Sequence, residues 1–259
     1  MARAFWKGVI SFGLVAIPVK MYVATETRPV SFHLLHKKCL TRPKQVLHCD
    51  IDNEYFSIKD TVRGYEIAKD QYIVLNDSDF DKVPVKTSHA IDIVGFVEAK
   101  EIDPIYYYGI HYLVPEELGA KPFRLLREAL EKTGRVGIAK VTFQKREHLC
   151  CLRPFEDILL LHTMHYESEV LPRKELVPLK PEVAKAELDM AVSLIKAMAR
   201  SFEPKDYKDE YQEALKKVIE AKSAGEKIVA PPAPKPEIGD LMAALRASLA
   251  AAKKEPALR

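Results

Sequence analysis

Short segments in which apolar and polar residues alternate return again and again between residues 9 and 166, and beyond Pro172 they stop. A strand buried on one face needs this period of two, because successive side chains point to opposite sides of a sheet. Val15, Ile17, Val19, Met21 and Val23 alternate with Ala16, Pro18, Lys20 and Tyr22, so Lys20 takes the opposite face and Pro18 marks an edge or a bulge. Further strand signals fall at residues 71–76, 89–98, 105–114, 135–144, 147–153 and 156–166. One helix interrupts them, from Pro122 to Lys132, with Phe123, Leu126 and Leu130 on one face and Gly134 as its stop. Seven or so short strands with one inserted helix predict a mixed β/α chain built on a β-barrel or closed sheet.

After Pro172 the apolar residues recur at three and four. Leu188, Ala191, Leu194, Ile195 and Met198 predict a helix from Pro181 to Arg200, broken at Glu203-Pro204. Tyr211, Leu215, Val218 and Ile219 predict a second, from about Lys205 to Ser223. The run Ala230-Pro231-Pro232-Ala233-Pro234-Lys235-Pro236 reads as a stiff linker. Behind it Leu241, Leu245 and Leu249 mark a short amphipathic helix over 240–254, too short to persist without a partner to fold on.

Charge is distributed unevenly. Arg3, Lys7, Lys20, Arg28, Lys37, Lys38, Arg42 and Lys44 face one acid, Glu26, within the first 48 residues, a local +7 in a chain of net +3. Clustered positive charge suits a polyanion, since phosphate contacts release condensed counterions, although lysines also protect sheet edges from aggregation. A second basic group, Lys132, Arg135, Lys140, Lys145, Arg146 and Arg153, is interrupted only by Glu147. Arg135 and Lys140 take opposite faces of their strand, so this group cannot converge on one groove. No basic helix of the kind that reads a major groove is visible, which leaves backbone-directed, sequence-independent contact. Tyr106-Tyr107-Tyr108 offers an alternative, a stacking surface for single strands.

Signs of catalysis are scarce. The chain has no GxxxxGK[ST], GxGxxG or GxSxG motif, and its carboxylates are scattered. His36, Cys39, His48 and Cys49 could hold zinc by residue type, but adjacent His48 and Cys49 converge poorly on one ion, so the expectation is no metal, no cofactor and no enzyme. Cys150 and Cys151 read as core residues. The absence of a membrane-length apolar run and of a secretory leader pattern predicts a cytoplasmic protein.

Arg3-Ala4-Phe5-Trp6-Lys7-Gly8-Val9-Ile10-Ser11-Phe12-Gly13-Leu14-Val15 and Ile17-Pro18-Val19-Lys20 resemble the opening of the bacterial Ku family. Colinear similarity continues through Arg63-Gly64-Tyr65-Glu66, Glu101-Ile102-Asp103-Pro104, Gly134-Arg135-Val136-Gly137 and Asp240-Leu241-Met242, to about residue 254. The resemblance implies a Ku-core, SPOC-like barrel over 1–175 with a DNA-encircling bridge at about 25–65. A helical arm over 176–228, a linker over 229–239 and a partner-binding helix over 240–259 would follow. It implies a homodimeric ring loaded on double-stranded DNA ends, nucleoid-associated on damaged DNA, that recruits a multidomain ATP-dependent repair ligase. The DNA-binding set expected on this basis is Arg3, Lys7, Lys20, Lys37, Lys38, Arg42, Lys44, Arg63, Lys140, Lys145 and Arg146, with Leu241, Met242, Leu245 and Leu249 for the ligase. Two departures stand out. Family members with paired bridge cysteines contrast with single Cys39 and Cys49, and the Lys-rich tail of many members is here reduced to Lys253, Lys254 and Arg259.

Overall fold

The computed structural model describes residues 3–80, 82, 89–144, 146–173, 176, 178–225 and 240–254. Lys145, Arg259 and the expected 229–239 linker lie outside these residues. The chain divides into two compact units, Met1–Pro172 and Arg173–Arg259.

In the first unit, seven of the described strands close into a barrel: β1 (Trp6–Phe12), β2 (Val15–Val23), β7 (Ala90–Glu98), β8 (Tyr107–Pro115), β9 (Arg135–Phe143), β10 (Arg146–Phe155) and β11 (Ile158–Met164). Around the barrel the order is β1-β2-β8-β11-β10-β9-β7. Neighbours run antiparallel except at the seam, where β1 and β7 pair parallel through Val9↔Ala90, Ile10↔Ile91 and Ser11↔Asp92. Ile10, Ile17, Val19, Met21, Ile91, Leu113, Val141, Cys150, Leu152, Leu159 and Leu161 are fully buried in one core cluster, at every second position of their strands. Helix α2 (Ala120–Thr133) buries Phe123, Leu126 and Leu130 in the same cluster. It ends where Gly134 turns left-handed at φ +64° and donates its N–H to Leu130 and Glu131. Cys150 belongs to this core, whereas Cys151 packs with Val136 and Met164 in a second cluster, as opposite faces of one strand require.

Between β2 and β7 the chain leaves the barrel. This excursion holds two separate two-stranded sheets, β3 (Leu47–Cys49) with β4 (Glu54–Phe56) and β5 (Arg63–Ala68) with β6 (Gln71–Leu75), followed by the single turn α1 (Asp77–Phe80). None of its residues in β3–β6 is buried.

The second unit is helical: α3 (Lys185–Met198), α4 (Glu210–Ser223) and α5 (Leu241–Lys254). The start of α4 lies later than the apolar spacing predicts, because the Asp209 carboxylate caps it, accepting from the Gln212 N–H at 2.9 Å. Helix α5, expected to need an outside partner, lies against α3 of its own chain. No helix among the described residues is long and apolar enough to cross a membrane.

The barrel wall carries a pH-sensitive element. Burial pushes the pKa of His162 down to about 4, helped by the neighbouring Arg153 charge, and burial also lowers His111 and His148. Arg153 Nε–H donates to His162 Nε2 at 2.8 Å, which requires that nitrogen to be unprotonated. The folded state therefore binds fewer protons than the unfolded chain, whose histidines titrate near 6.5. Stability is complete above about pH 6.5 and falls as pH drops from there toward 4. Urea midpoints measured between pH 7.5 and 4.5 are expected to decline over that window, with a shallower decline in His162→Gln; a midpoint flat across it contradicts the neutral assignment.

Candidate nucleic-acid interface

The basic residues separate into those that the fold already neutralises and those that it leaves open. On the outer face of the barrel, Lys7 of β1 stands directly opposite Lys20 of β2. Like charges in this position repel, and Glu116 offsets one of them, 3.6 Å from Lys20 Nζ. Lys140 is held 3.2 Å from Glu147 and Arg146 pairs with Glu169. Arg63 lies 3.4 Å from Asp77 with its guanidinium over the Phe80 ring. Lys20, Lys140, Arg146 and Arg63 are sites of local charge compensation.

The first part of the excursion differs. From residue 27 to residue 49 the sequence has no acid. Arg28 is tied to Glu26 at 2.8 Å. Lys37, Lys38, Arg42 and Lys44 are exposed and have no ion pair among the described residues. Two backbone hydrogen bonds shape the loop that presents them: Leu40 donates to the His36 carbonyl at 2.7 Å, and His36 donates to that of Thr41 at 2.8 Å. Leu40 takes φ +56° to close the turn, which places Lys37 and Lys38 at its tip. Arg3 is likewise exposed, just ahead of β1. Lys145, also expected here, is outside the described residues.

The histidines and cysteines of the excursion form two local sets. His36 Nδ1 is 3.1 Å from Cys39 Sγ, which is 2.9 Å from Thr41 Oγ1; that contact to Thr41 lowers the thiol pKa. His48 instead binds Asp50 and Asn53, at 3.0 and 3.2 Å, and Cys49 donates to Asp52 at 3.3 Å. Among the described residues no group of three or more His, Cys, Asp or Glu is placed to hold a metal ion.

The tyrosine run does not form an open stacking face. Tyr106 and Tyr107 pack against the outer cluster of Val136, Cys151 and Met164. Burial pushes the Tyr107 hydroxyl pKa up to about 12, and its ring lies 5.0 Å from that of His162. Only Tyr108 is substantially exposed, and its hydroxyl is committed to His148 Nδ1 at 2.6 Å.

What the sequence reading missed is the set of acidic partners. One of them was within reach of it. Thr142 pairs with Glu147 across the β9–β10 hairpin, so Lys140, two residues away on the same face, is a diagonal neighbour of that glutamate. Glu116 and Glu169 depend on contacts between elements distant in sequence and leave no such trace.

Comparison with known proteins adds a second line of evidence. The family described as the Ku70/Ku80 beta-barrel domain matches residues 11–190. A protein of Symbiobacterium thermophilum, named non-homologous end joining protein Ku, is 44% identical over 263 residues, covering 98% of this chain. The protein of the same name from Frankia casuarinae is 44% identical over 256 residues, covering 97% of the chain. The chain spans 64% of the length of each of these two relatives. The protein so named from Archaeoglobus fulgidus is 40% identical over 253 residues and is covered in full.

Proposed function

Because the chain belongs to the Ku β-barrel family, we propose that it binds double-stranded DNA ends without sequence preference in non-homologous end joining. The active form is a homodimeric ring, with the excursion after Val23, including about residues 25–65, as the bridge across the duplex. The barrel region 1–175 carries the bridge, and the helical arm of 176–228 leads through the 229–239 linker to the 240–259 segment. That last segment engages a multidomain ATP-dependent ligase, which supplies the covalent chemistry; the chain itself is a non-enzymatic cytoplasmic factor. One observation carries the reading. Among the described residues the four cations of the exposed loop have no acid to answer them, whereas those on the barrel wall mostly do. A phosphate backbone rewards such uncompensated charge and asks for no base-specific geometry.

A closed ring threads only over an end. A linear duplex is expected to be retained in a gel shift at moderate salt, and a relaxed circle of the same sequence is not. A duplex capped by a bulky hairpin at both ends is expected to bind poorly. Solution mass is expected at twice the 29.3 kDa chain. Equal retention of circle and linear duplex contradicts the ring, and preferential retention of single strands favours the alternative, a sequence-tolerant single-strand or RNA-binding barrel.

A further inference from the structure

Met242, Leu245, Leu249 and Ala252 are the half-buried positions of α5, spaced three, four and three apart. On α3 the half-buried positions are Glu187, Met190, Ala191 and Leu194, and the two helices lie against each other. The facing stripes thus include three of the four residues, Met242, Leu245 and Leu249, that a partner groove would need. Leu241, the fourth, is exposed. Among the described residues no side chain of either helix is fully buried, so the contact holds α5 without sealing it. A helix of 14 residues has little stability alone, and α3 supplies the apolar surface that keeps it folded.

We infer that α3 is an internal competitor for the α5 stripe, and that a partner groove engages α5 only when α3 lets go. This rests on the proposed partner role of α5. The same leucines cannot face two surfaces at once, and the connecting chain keeps α3 at high effective concentration beside α5. The partner's apparent affinity is therefore its intrinsic affinity multiplied by the fraction of α5 that is undocked. Its groove is one that takes an amphipathic helix through anchors at i, i+3 and i+7.

The test uses full-length protein and the end-joining ligase of the same organism. Leu194→Glu, and the milder Leu194→Ala, alter the α3 stripe and leave α5 intact; unchanged binding to linear duplex and unchanged solution mass confirm that each variant is folded. Amide hydrogen exchange across 241–254 is expected to accelerate, more in Leu194→Glu, and ligase affinity to rise by the same factor, about three- to tenfold. Unchanged exchange in both variants overturns the inference, and so does faster exchange with unchanged or weaker ligase binding. Leu245→Glu separates the two levels of the argument. If it binds ligase as tightly as the unaltered protein, the partner role of α5 falls and the competition with it, while exchange in α5 still reports whether the α3 contact exists.

Discussion

Replacing Lys37, Lys38, Arg42 and Lys44 with glutamine is expected to lower affinity for linear duplex DNA by roughly four-thousandfold at about 0.1 M salt. Each phosphate contact contributes about 0.9 to the slope of log affinity against log salt, which at that concentration is about eightfold per contact. Four lost contacts flatten the slope by about 3.6. The loss is equal for every sequence, because backbone contacts carry no base information. Folding is unaffected, since all four side chains are exposed and unpaired among the described residues. The informative comparison is the same replacement at Lys20, Arg63, Lys140 and Arg146. Each already faces an acid, so its net attraction for phosphate is small and the expected loss is several times less. Salt titrations of both quartets decide the matter. Equal losses mean that the surface ion pairs open on DNA, as weak pairs can, and that the loop is not the principal contact. A loss confined to one DNA sequence means base readout.

The barrel was largely legible because its physics is local. Alternating burial along β2 follows from which residues can face a core, and the i, i+3, i+7 spacing of Phe123, Leu126 and Leu130 made α2 visible in the same way. The parallel seam was not legible. Val9 and Ala90 are brought together by closure of the whole sheet, and nothing in either segment names the other. Strand β5 was missed for the opposite reason: all six of its residues are exposed, so no buried face imposes an alternation.

The candidate site was legible only in part. Composition located the positive charge but could not separate open cations from compensated ones. That distinction lies in Glu116, Glu147 and Glu169, which the barrel folds against Lys20, Lys140 and Arg146. Likewise the leucine spacing of α5 marks an apolar stripe, but nothing in that spacing points to α3 as the helix it lies against.

The seam makes Gly8→Ala the most damaging single-atom-scale change expected in the barrel. A Cβ at Gly8 falls 2.3 Å from the His89 carbonyl oxygen and 2.4 Å from the Trp6 ring. Neither neighbour can yield cheaply. The carbonyl accepts the Val9 N–H at 3.0 Å, the first hydrogen bond of the β1–β7 pairing, and Trp6 is a buried core ring. Overpacking of this kind costs about 1–3 kcal/mol when side chains can adjust, and more against backbone. For a domain of this size about 3 kcal/mol lowers the melting midpoint by roughly 6–12 °C. Parting β1 from β7 also exposes two unpaired strand edges, so the variant is expected to aggregate on heating. Gly95→Ala, on the other seam strand β7 and with nothing within 4 Å of the added atom, is the control and is expected to melt close to the parent. Thermal scans with light scattering on the three proteins measure both effects. Should Gly8→Ala melt with Gly95→Ala, β1 and β7 do not approach as closely as the Val9–His89 hydrogen bond requires, and barrel closure must rest on the antiparallel pairs alone.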